Sequence, residues 1–252
     1  MNQRFSGKKA IITGAGSGIG KATVERFVSE GGHAIAVDIS QERLDKLTAE
    51  FYKRNQDIDT VCSDLSAAGT IEKIMSSVGS QLDILINNAG IMDDFVPLDE
   101  IDDELWERVI AINLTSVMRL SRAALKIMLQ QGHGAIVTTS SGASLKAGIA
   151  GTAYTTSKHG VNGLVKSIAA MYGDRGIRSN AVAPGGTRTN IMDLSKPIRG
   201  QKTMEKLSPN MSNATRTAEP SEIAASILYL ASDDASNVNG AILACDGGWS
   251  AK

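Results

Sequence analysis

Seven short, β-branched apolar runs, separated by longer amphipathic stretches, constrain this 252-residue chain more than any other feature. Strand and helix periods that alternate from end to end mark successive βαβ units, whose strands are buried on both faces of a parallel sheet. The runs are Lys9 to Thr13, His33 to Asp38, Asp57 to Ser63, Leu82 to Asn87, Gly134 to Ser140, Ile177 to Ala183 and Ala241 to Cys245, each bounded by Gly, Asn or Asp. Helices are expected near Gly18 to Glu30, Gln41 to Arg54, Ala67 to Val78, Asp102 to Gln131, Thr152 to Tyr172 and Pro220 to Ala231, with Ser40 and Pro220 as start signals. The fold class is therefore α/β, a single doubly wound domain over residues 1–252 around a seven-stranded parallel sheet. Gly185 to Thr217 has no clear period and carries Pro197, Gly200 and Pro209. A segment this long is expected to be an irregular lid, near 186–216, in which Met192, Leu194, Ile198, Met204, Leu207 and Met211 close over a ligand.

Charge and composition narrow the ligand. The formal net charge is −1 with no Lys/Arg run, so neither nucleic acid nor an anionic membrane surface is an evident partner, and a small molecule is expected. The N-terminus is polar and leads straight into a strand, which reads as cytoplasmic. Cys62 and Cys245 are expected to be separate reduced thiols, and His33, His133 and His159 lack ligand spacing, so no metal site is expected.

Thr13-Gly14-Ala15-Gly16-Ser17-Gly18-Ile19-Gly20 follows the first strand and opens the first helix. There, glycines let backbone N–H groups approach a pyrophosphate at the positive helix end. The spacing G-x-G-x-x-G fails at Ile19; the one that fits is Thr-Gly-x-x-x-Gly-x-Gly through Gly14, Gly18 and Gly20. Asp38, at the end of the second strand, can accept hydrogen bonds from ribose hydroxyls and would repel a 2′-phosphate. With no Arg or Lys at Ser17 or Ile39 to neutralise that phosphate, NAD is favoured over NADP; a turn or capping role is the competing reading of Asp38. Asp64 could meet the adenine edge or cap the next helix.

Tyr154 and Lys158 stand four residues apart on a predicted helix and so share a face. Lowering a tyrosine pKa from about 10 to about 7 takes roughly 4 kcal/mol of preferential phenolate stabilisation, which a nearby ammonium and a bound cationic nicotinamide could supply. Together with the glycine turn, Asn87-Asn88-Ala89-Gly90, Asn113, Ser141 and Asn180 to Gly185, the pair resembles the short-chain dehydrogenase/reductases over essentially the whole chain. The resemblance implies a Rossmann-like fold and an oxidoreductase that moves a hydride between NAD and a secondary alcohol or ketone. It makes Tyr154 the acid/base and Lys158 its tuner and a ligand of the nicotinamide ribose. Ser141 would bond the substrate oxygen, while Asn113 would hold a helix kink and a water reaching Lys158. It places Asn88, Ala89 and Gly90 under the cofactor, Pro184, Gly185 and Thr189 beside the nicotinamide, and Ser17, Ile19, Leu65 and Thr187 along the same surface. Ser140 should point away from Ser141. It also implies a homotetramer built on the helices Asp102 to Gln131 and Thr152 to Tyr172 and on the Asp246 to Trp249 region.

Two readings compete with the alcohol dehydrogenase. One is a 3-oxoacyl-thioester reductase, disfavoured by Asp38 but kept alive by Arg175 and Lys126 as docking cations. The other is a catalytically silent dinucleotide-binding relative. Arg188 could read a substrate anion or face solvent.

Overall fold

In the computed structural model, which describes residues 3–192, 197–212 and 214–251, every apolar run forms a strand. They are β1 (Lys9–Thr13), β2 (His33–Asp38), β3 (Asp59–Cys62), β4 (Ile84–Asn87), β5 (Gly134–Thr139), β6 (Ile177–Pro184) and β7 (Ile242–Cys245). All pair in parallel, in the order β3-β2-β1-β4-β5-β6-β7. The helices are α1 (Gly18–Ser29), α2 (Gln41–Tyr52), α3 (Thr70–Ser76), α4 (Asp103–Ile110), α5 (Ser116–Gln131), α6 (Thr152–Tyr172), α7 (Gln201–Met211) and α8 (Pro220–Ala231).

The alternation along each strand sends apolar groups to both faces. Ile11 packs with Ile35, Leu85 and Ile136 against Ile74, Leu120 and Ile168 of α3, α5 and α6. Its neighbours Ala10 and Ile12 pack with Ile86 against Val24, Phe27, Leu44 and Ile227 of α1, α2 and α8. Burying a side chain of this size is worth about 1.5–3 kcal/mol each, which is why the sheet sits sealed between two helical layers. Sequence order reverses across the β1–β4 pair, so the loops leaving these strands diverge and open a crevice at their carboxyl ends.

Helix starts follow local capping chemistry. Ser40 Oγ accepts from Arg43 N at 3.3 Å and Asp102 Oδ1 from Leu105 N at 2.8 Å, while α8 opens with Pro220 inside a Glu219/Glu222 capping box. Four expectations need correction. The strand expected over Asp57 to Ser63 is shorter, because its ladder with β2 begins only at Asp59. The helix expected from Ala67 starts at Thr70, since Asp64 first folds a turn and Gly69 is left-handed at φ +76°. The helix expected over Asp102 to Gln131, with a kink at Asn113, is divided around that residue by a π-turn over Ala111–Thr115.

The segment expected to be irregular contains α7. Met204, Leu207 and Met211 form one half-buried helical face, a 3–4 spacing that Pro209 conceals. Proline is tolerated there because the Glu205 carbonyl, deprived of the residue-209 N–H, accepts the Ser208 hydroxyl at 2.8 Å instead. Leu194, counted with this segment, lies outside the described residues. Among those residues no helix is long and apolar enough to cross a membrane and no group of His, Cys, Asp and Glu could hold a metal ion.

Candidate active site

A cavity of about 560 Å³ occupies the crevice at the carboxyl ends of the strands. It is lined by every expected catalytic and cofactor-binding residue except Gly20 and Asn113; of the residues expected to close over a ligand, Met192 and Met211 line it and Ile198, Met204 and Leu207 do not. One end holds the glycine turn, Asp38, Asp64 and Leu65; the middle holds Asn88 to Gly90 and Tyr154; the far end is apolar, with Met92, Phe95, Ile149, Met211 and Trp249.

The glycine turn is dictated by close approach. A Cβ on Gly20 would lie 2.0 Å from the Gly14 carbonyl oxygen, so any side chain there displaces backbone. Gly14 and Gly18 take φ +65° and +52°, the latter with Thr189 Cγ2 only 3.0 Å from a would-be Cβ. Gly16, absent from the expected set, proves equally constrained: its N–H donates to Asp38 Oδ2 at 2.9 Å, and a Cβ would meet Arg43 Cβ at 2.7 Å. Thr13 Oγ1 accepts from the amides of Asn88 and Ala89 at 2.9 and 3.1 Å. Asn88 in turn bonds Thr13 O and Thr139 Oγ1, fastening β1, β4 and β5 where the cavity floor must be rigid.

Asp38 is buried, and both its oxygens are engaged by backbone amides, Gly16 N and Ser40 N, each at 2.9 Å. A cation does stand beside it, contrary to the expectation drawn from positions 17 and 39. Arg43 Nη1, from the first turn of α2, lies 3.9 Å from Asp38 Oδ1 and lines the same cavity. Asp64 is not a helix cap. Its Oδ1 accepts from Ser66 N at 2.8 Å and from Ser66 Oγ at 2.6 Å, bonds that hold its carboxyl below the usual range while the residue faces the cavity.

Tyr154 and Lys158 are buried one turn apart on α6, with Lys158 Nζ 5.5 Å from the phenol ring centre and donating to Thr139 O at 2.8 Å. The Ser141 side chain lies beside the phenol, lines the same cavity and favours its ionised form. Burial pushes the Tyr154 pKa up to about 12; the Ser141 side chain opposes this and the charge of Asp93 adds to it. Burial likewise brings Lys158 down to about 8. Without a bound cation the phenol is therefore neutral while the lysine remains mostly an ammonium near pH 7, and the lysine alone does not make the phenol an acid near neutrality.

Asn113 sits at the centre of the π-turn, fully buried. Its Oδ1 accepts from Ile91 N and its Nδ2 donates to Ile91 O, both at 2.9 Å, and to Ser157 Oγ at 3.2 Å. Both amide protons are thus used within the protein, so the side chain offers a water near Lys158 only the free lone pair of Oδ1. Ser140 turns away as expected, bonding Ser144 Oγ and Asn162 Oδ1 at 2.8 and 2.7 Å. Arg188 is exposed and paired with Glu219 at 2.9 Å, outside the cavity lining. Thr187 and Thr189 face inward on either side of it.

Comparison with known proteins accords with this geometry. The family model described as enoyl-(acyl carrier protein) reductase matches residues 14–250. The chain is 42% identical to 3beta-hydroxysteroid dehydrogenase 2 of Eggerthella lenta, over 99% of this chain and 97% of that one. It is 37% identical to a 3-oxoacyl-[acyl-carrier-protein] reductase of Thermotoga maritima, over 97% and 98% of the two chains. Among solved structures, levodione reductase superposes with a TM-score of 0.88 at 35% identity, covering 98% of this chain and 99% of that one. A provisionally assigned NAD(P)-dependent gluconate 5-dehydrogenase of Beutenbergia cavernae, holding NADP at low occupancy, also gives 0.88 at 31% identity with full coverage of both chains. The chain belongs to the short-chain dehydrogenase/reductase family, and it is an oxidoreductase with a nucleotide cofactor.

Proposed function

We infer that this oxidoreductase interconverts a secondary alcohol and a ketone with NAD, using Tyr154, Lys158, Ser141 and Asn113. The observation that carries the reading is that Tyr154, Ser141 and Lys158 line one cavity, with Lys158 Nζ 5.5 Å from the phenol ring centre, and that the same cavity presents Asp38 and the glycine turn. The residues fit a dinucleotide: Gly14, Gly18 and Gly20 let the turn before α1 fold tightly against Ala89, Thr189 and its own backbone, and the amino end of α1 lines the cavity through Ser17, Gly18 and Ile19. When bound, the nicotinamide accepts or returns a hydride.

The chain's own residues supply the rest. Ser141 orients the substrate oxygen, and Tyr154 Oη takes the proton from it in oxidation or gives it back in reduction. Lys158, held by Thr139 O, lies where its charge favours the phenolate. Asn113 locks the loop after β4 to α6 through Ile91 and Ser157, so the floor and the reacting groups move as one body.

The far end of the cavity supports an apolar substrate. Met92, Phe95, Ile149, Met211 and Trp249 offer little to a polyhydroxylated sugar and suit a rigid ring alcohol of the hydroxysteroid type, the substrate class named for the Eggerthella relative. The 3-oxoacyl-thioester reading is supported by the Thermotoga relative, by the acyl-carrier-protein reductase description of the family model, and by exposed Arg175 and Lys126. Assay of hydroxysteroids, simple secondary alcohols, sugars and hydroxyacyl thioesters with NAD and NADP tests the assignment. Turnover of thioesters alone would replace it, and absence of turnover with every class would favour the silent relative.

The described part of the 186–216 segment, residues 186–192, 197–212 and 214–216, acts as the lid. Helix α7 bridges three parts of the rim through Gly200 N to Asp94 O at 2.8 Å, Asn210 Nδ2 to Gly148 O at 3.3 Å, and Trp249 Nε1 to Asn210 O at 2.6 Å. Met204→Ser and Leu207→Ser are expected to raise KM for the best apolar substrate about tenfold, a loss of about 1.4 kcal/mol, with the KM for NAD unchanged. Unchanged steady-state constants in both variants would assign specificity instead to Met92 to Val96 and Gly142 to Ala150.

Assembly is proposed as a homotetramer, with exposed Met118 on α5 and exposed Leu243 on edge strand β7 as apolar groups suited to twofold contacts. Sedimentation at micromolar concentration should give four times the chain mass. A monomer would refute it.

A further inference from the structure

We propose that Asp93 is the positioning residue of the catalytic tyrosine: from the loop after β4 it caps the helix that carries Tyr154 and fixes that helix to the floor of the cavity. This rests on Tyr154 as the proton-transfer group. Helix α6 begins at Thr152 with Gly151 at its N-cap, a residue with no side chain to satisfy the first free amides. The loop after β4 supplies the acceptors instead. Asp93 Oδ2 accepts from Tyr154 N at 2.8 Å, Asp93 Oδ1 from Gly151 N at 3.2 Å and from Phe95 N at 3.3 Å, and Val96 O from Thr152 N at 3.2 Å.

Three features indicate that the chain is shaped around this carboxylate. Asp93 is fully buried, which is costly for a charge not matched by donors. Gly151 is required by it, since a Cβ there would fall 2.5 Å from either carboxylate oxygen. The turn that delivers it is strained, with Asp94 and Phe95 both left-handed at φ +50° and +59°, and is held by Gly200 N donating to Asp94 O at 2.8 Å. Asp93 thereby joins Tyr154 to the loop that carries Asn88 to Gly90 and Met92, the wall under the reacting atoms.

The carboxylate also acts through its charge. It pushes the Tyr154 pKa up, while Ser141 pulls the other way. The charged groups on the elements around it include Asp94, Asp99 and Glu100 on its own loop, Asp103, Glu104, Glu107 and Arg108 on α4, Lys146 on the loop after β5, Lys158 and Lys166 on α6, and Arg199 ahead of α7, which pairs with Asp102 at 2.8 Å. Burial pushes the Asp93 pKa up against its backbone donors.

Two variants separate positioning from mere stability. In Asp93→Asn the side-chain amide must turn its NH₂ toward either the Tyr154 or the Gly151 N–H, losing one link and the charge. Its oxidation rate should fall at least tenfold, and its pH–rate limb should move toward lower pH by on the order of one unit. In Asp93→Ala/Gly151→Asp the cap is moved onto the helix's own N-cap, in the space the carboxylate vacates. Thermal stability should recover relative to Asp93→Ala while kcat stays at least tenfold down, because the tie to the β4 loop is not restored. A limb that does not move in Asp93→Asn, or full kcat in the double variant, overturns the proposal. Should Asp93→Ala fail to fold, the pH profile of Asp93→Asn decides. Tyr154→Phe measured alongside keeps the two readings apart: activity surviving there refutes the tyrosine assignment itself, whatever the Asp93 variants do.

Discussion

Tyr154→Phe is expected to lower kcat for alcohol oxidation by about 10³-fold while NAD affinity changes by less than about threefold, because the variant keeps the ring and loses only the group that handles the proton. Tyr154 is almost wholly buried, so the missing hydroxyl leaves no strained neighbour other than Ser141, whose Oγ still accepts from Ala143 N at 3.1 Å. The pH dependence of the wild-type enzyme carries the sign of the mechanism. Oxidation needs the phenolate, so its rate rises with pH; reduction needs the phenol, so its rate falls. In the ligand-free protein the phenol is pushed up to about 12, and bringing it to about 7 would take on the order of 7 kcal/mol. Lys158, brought down to about 8 by its own burial, cannot supply that alone. The limb of kcat, which reports the complex with bound cofactor, should therefore lie well below that of the free tyrosine, and Lys158→Ala should move it back toward alkaline pH. Stopped-flow absorbance of the reduced nicotinamide across pH 6 to about 11 reads both effects, spanning the range between an ordinary His and an ordinary Lys pKa. Ordinary turnover in Tyr154→Phe would eliminate this tyrosine as the acid/base.

What the chain discloses on its face is what is set locally. The strand runs, the start of α1, the exact span of α6 and the side-by-side burial of Tyr154 and Lys158 all follow from residue spacing and from glycines that only one backbone path can use. What it conceals is set by distant partners. Arg43 is five residues beyond Asp38, and only the tight turn through Ser40 into α2 brings its guanidinium back over the carboxylate. Asp93 reads as one of several acidic residues after Gly90; its role depends on Gly151, 58 residues away. Gly16 looks like a free position in the glycine spacing until Asp38 is seen to need its N–H. The period of α7 was present in Met204, Leu207 and Met211, but Pro209 argues against a helix unless the hydroxyl of Ser208 is known to satisfy the orphaned carbonyl. The kink at Asn113 is legible only through the family resemblance; its form, a π-turn held by bonds to Ile91 and Ser157, depends on partners that an apolar helix does not disclose.

The wild-type enzyme should prefer NAD over NADP by about 10²-fold in kcat/KM, and Asp38→Ala should bring the two close to parity. Like charges about 4 Å apart repel by about 4 kcal/mol at the effective dielectric of a partly exposed site, whereas 10²-fold corresponds to about 2.7 kcal/mol. The smaller figure is expected because Arg43 lies 3.9 Å from the carboxylate and offsets part of its field. Asp38→Ala also frees the Gly16 and Ser40 amides, which weakens the cradle for either cofactor; taking the NAD/NADP ratio within one variant cancels that shared loss. Arg43 supplies the second arm. Once Asp38 no longer occupies it, its guanidinium is a phosphate ligand at the same end of the cavity, so Asp38→Ala/Arg43→Ala should lose NADP efficiency relative to Asp38→Ala, about tenfold, with NAD little changed. Arg43→Ala alone should widen the wild-type preference, because the carboxylate then stands uncompensated. Equal use of both cofactors by the wild type, with a ratio that Asp38→Ala leaves unmoved, would mean that this carboxylate serves only to brace Gly16 and Ser40. Cofactor choice would then lie with residues elsewhere along the cavity, Asp64 and Arg108 being the charged groups next in line.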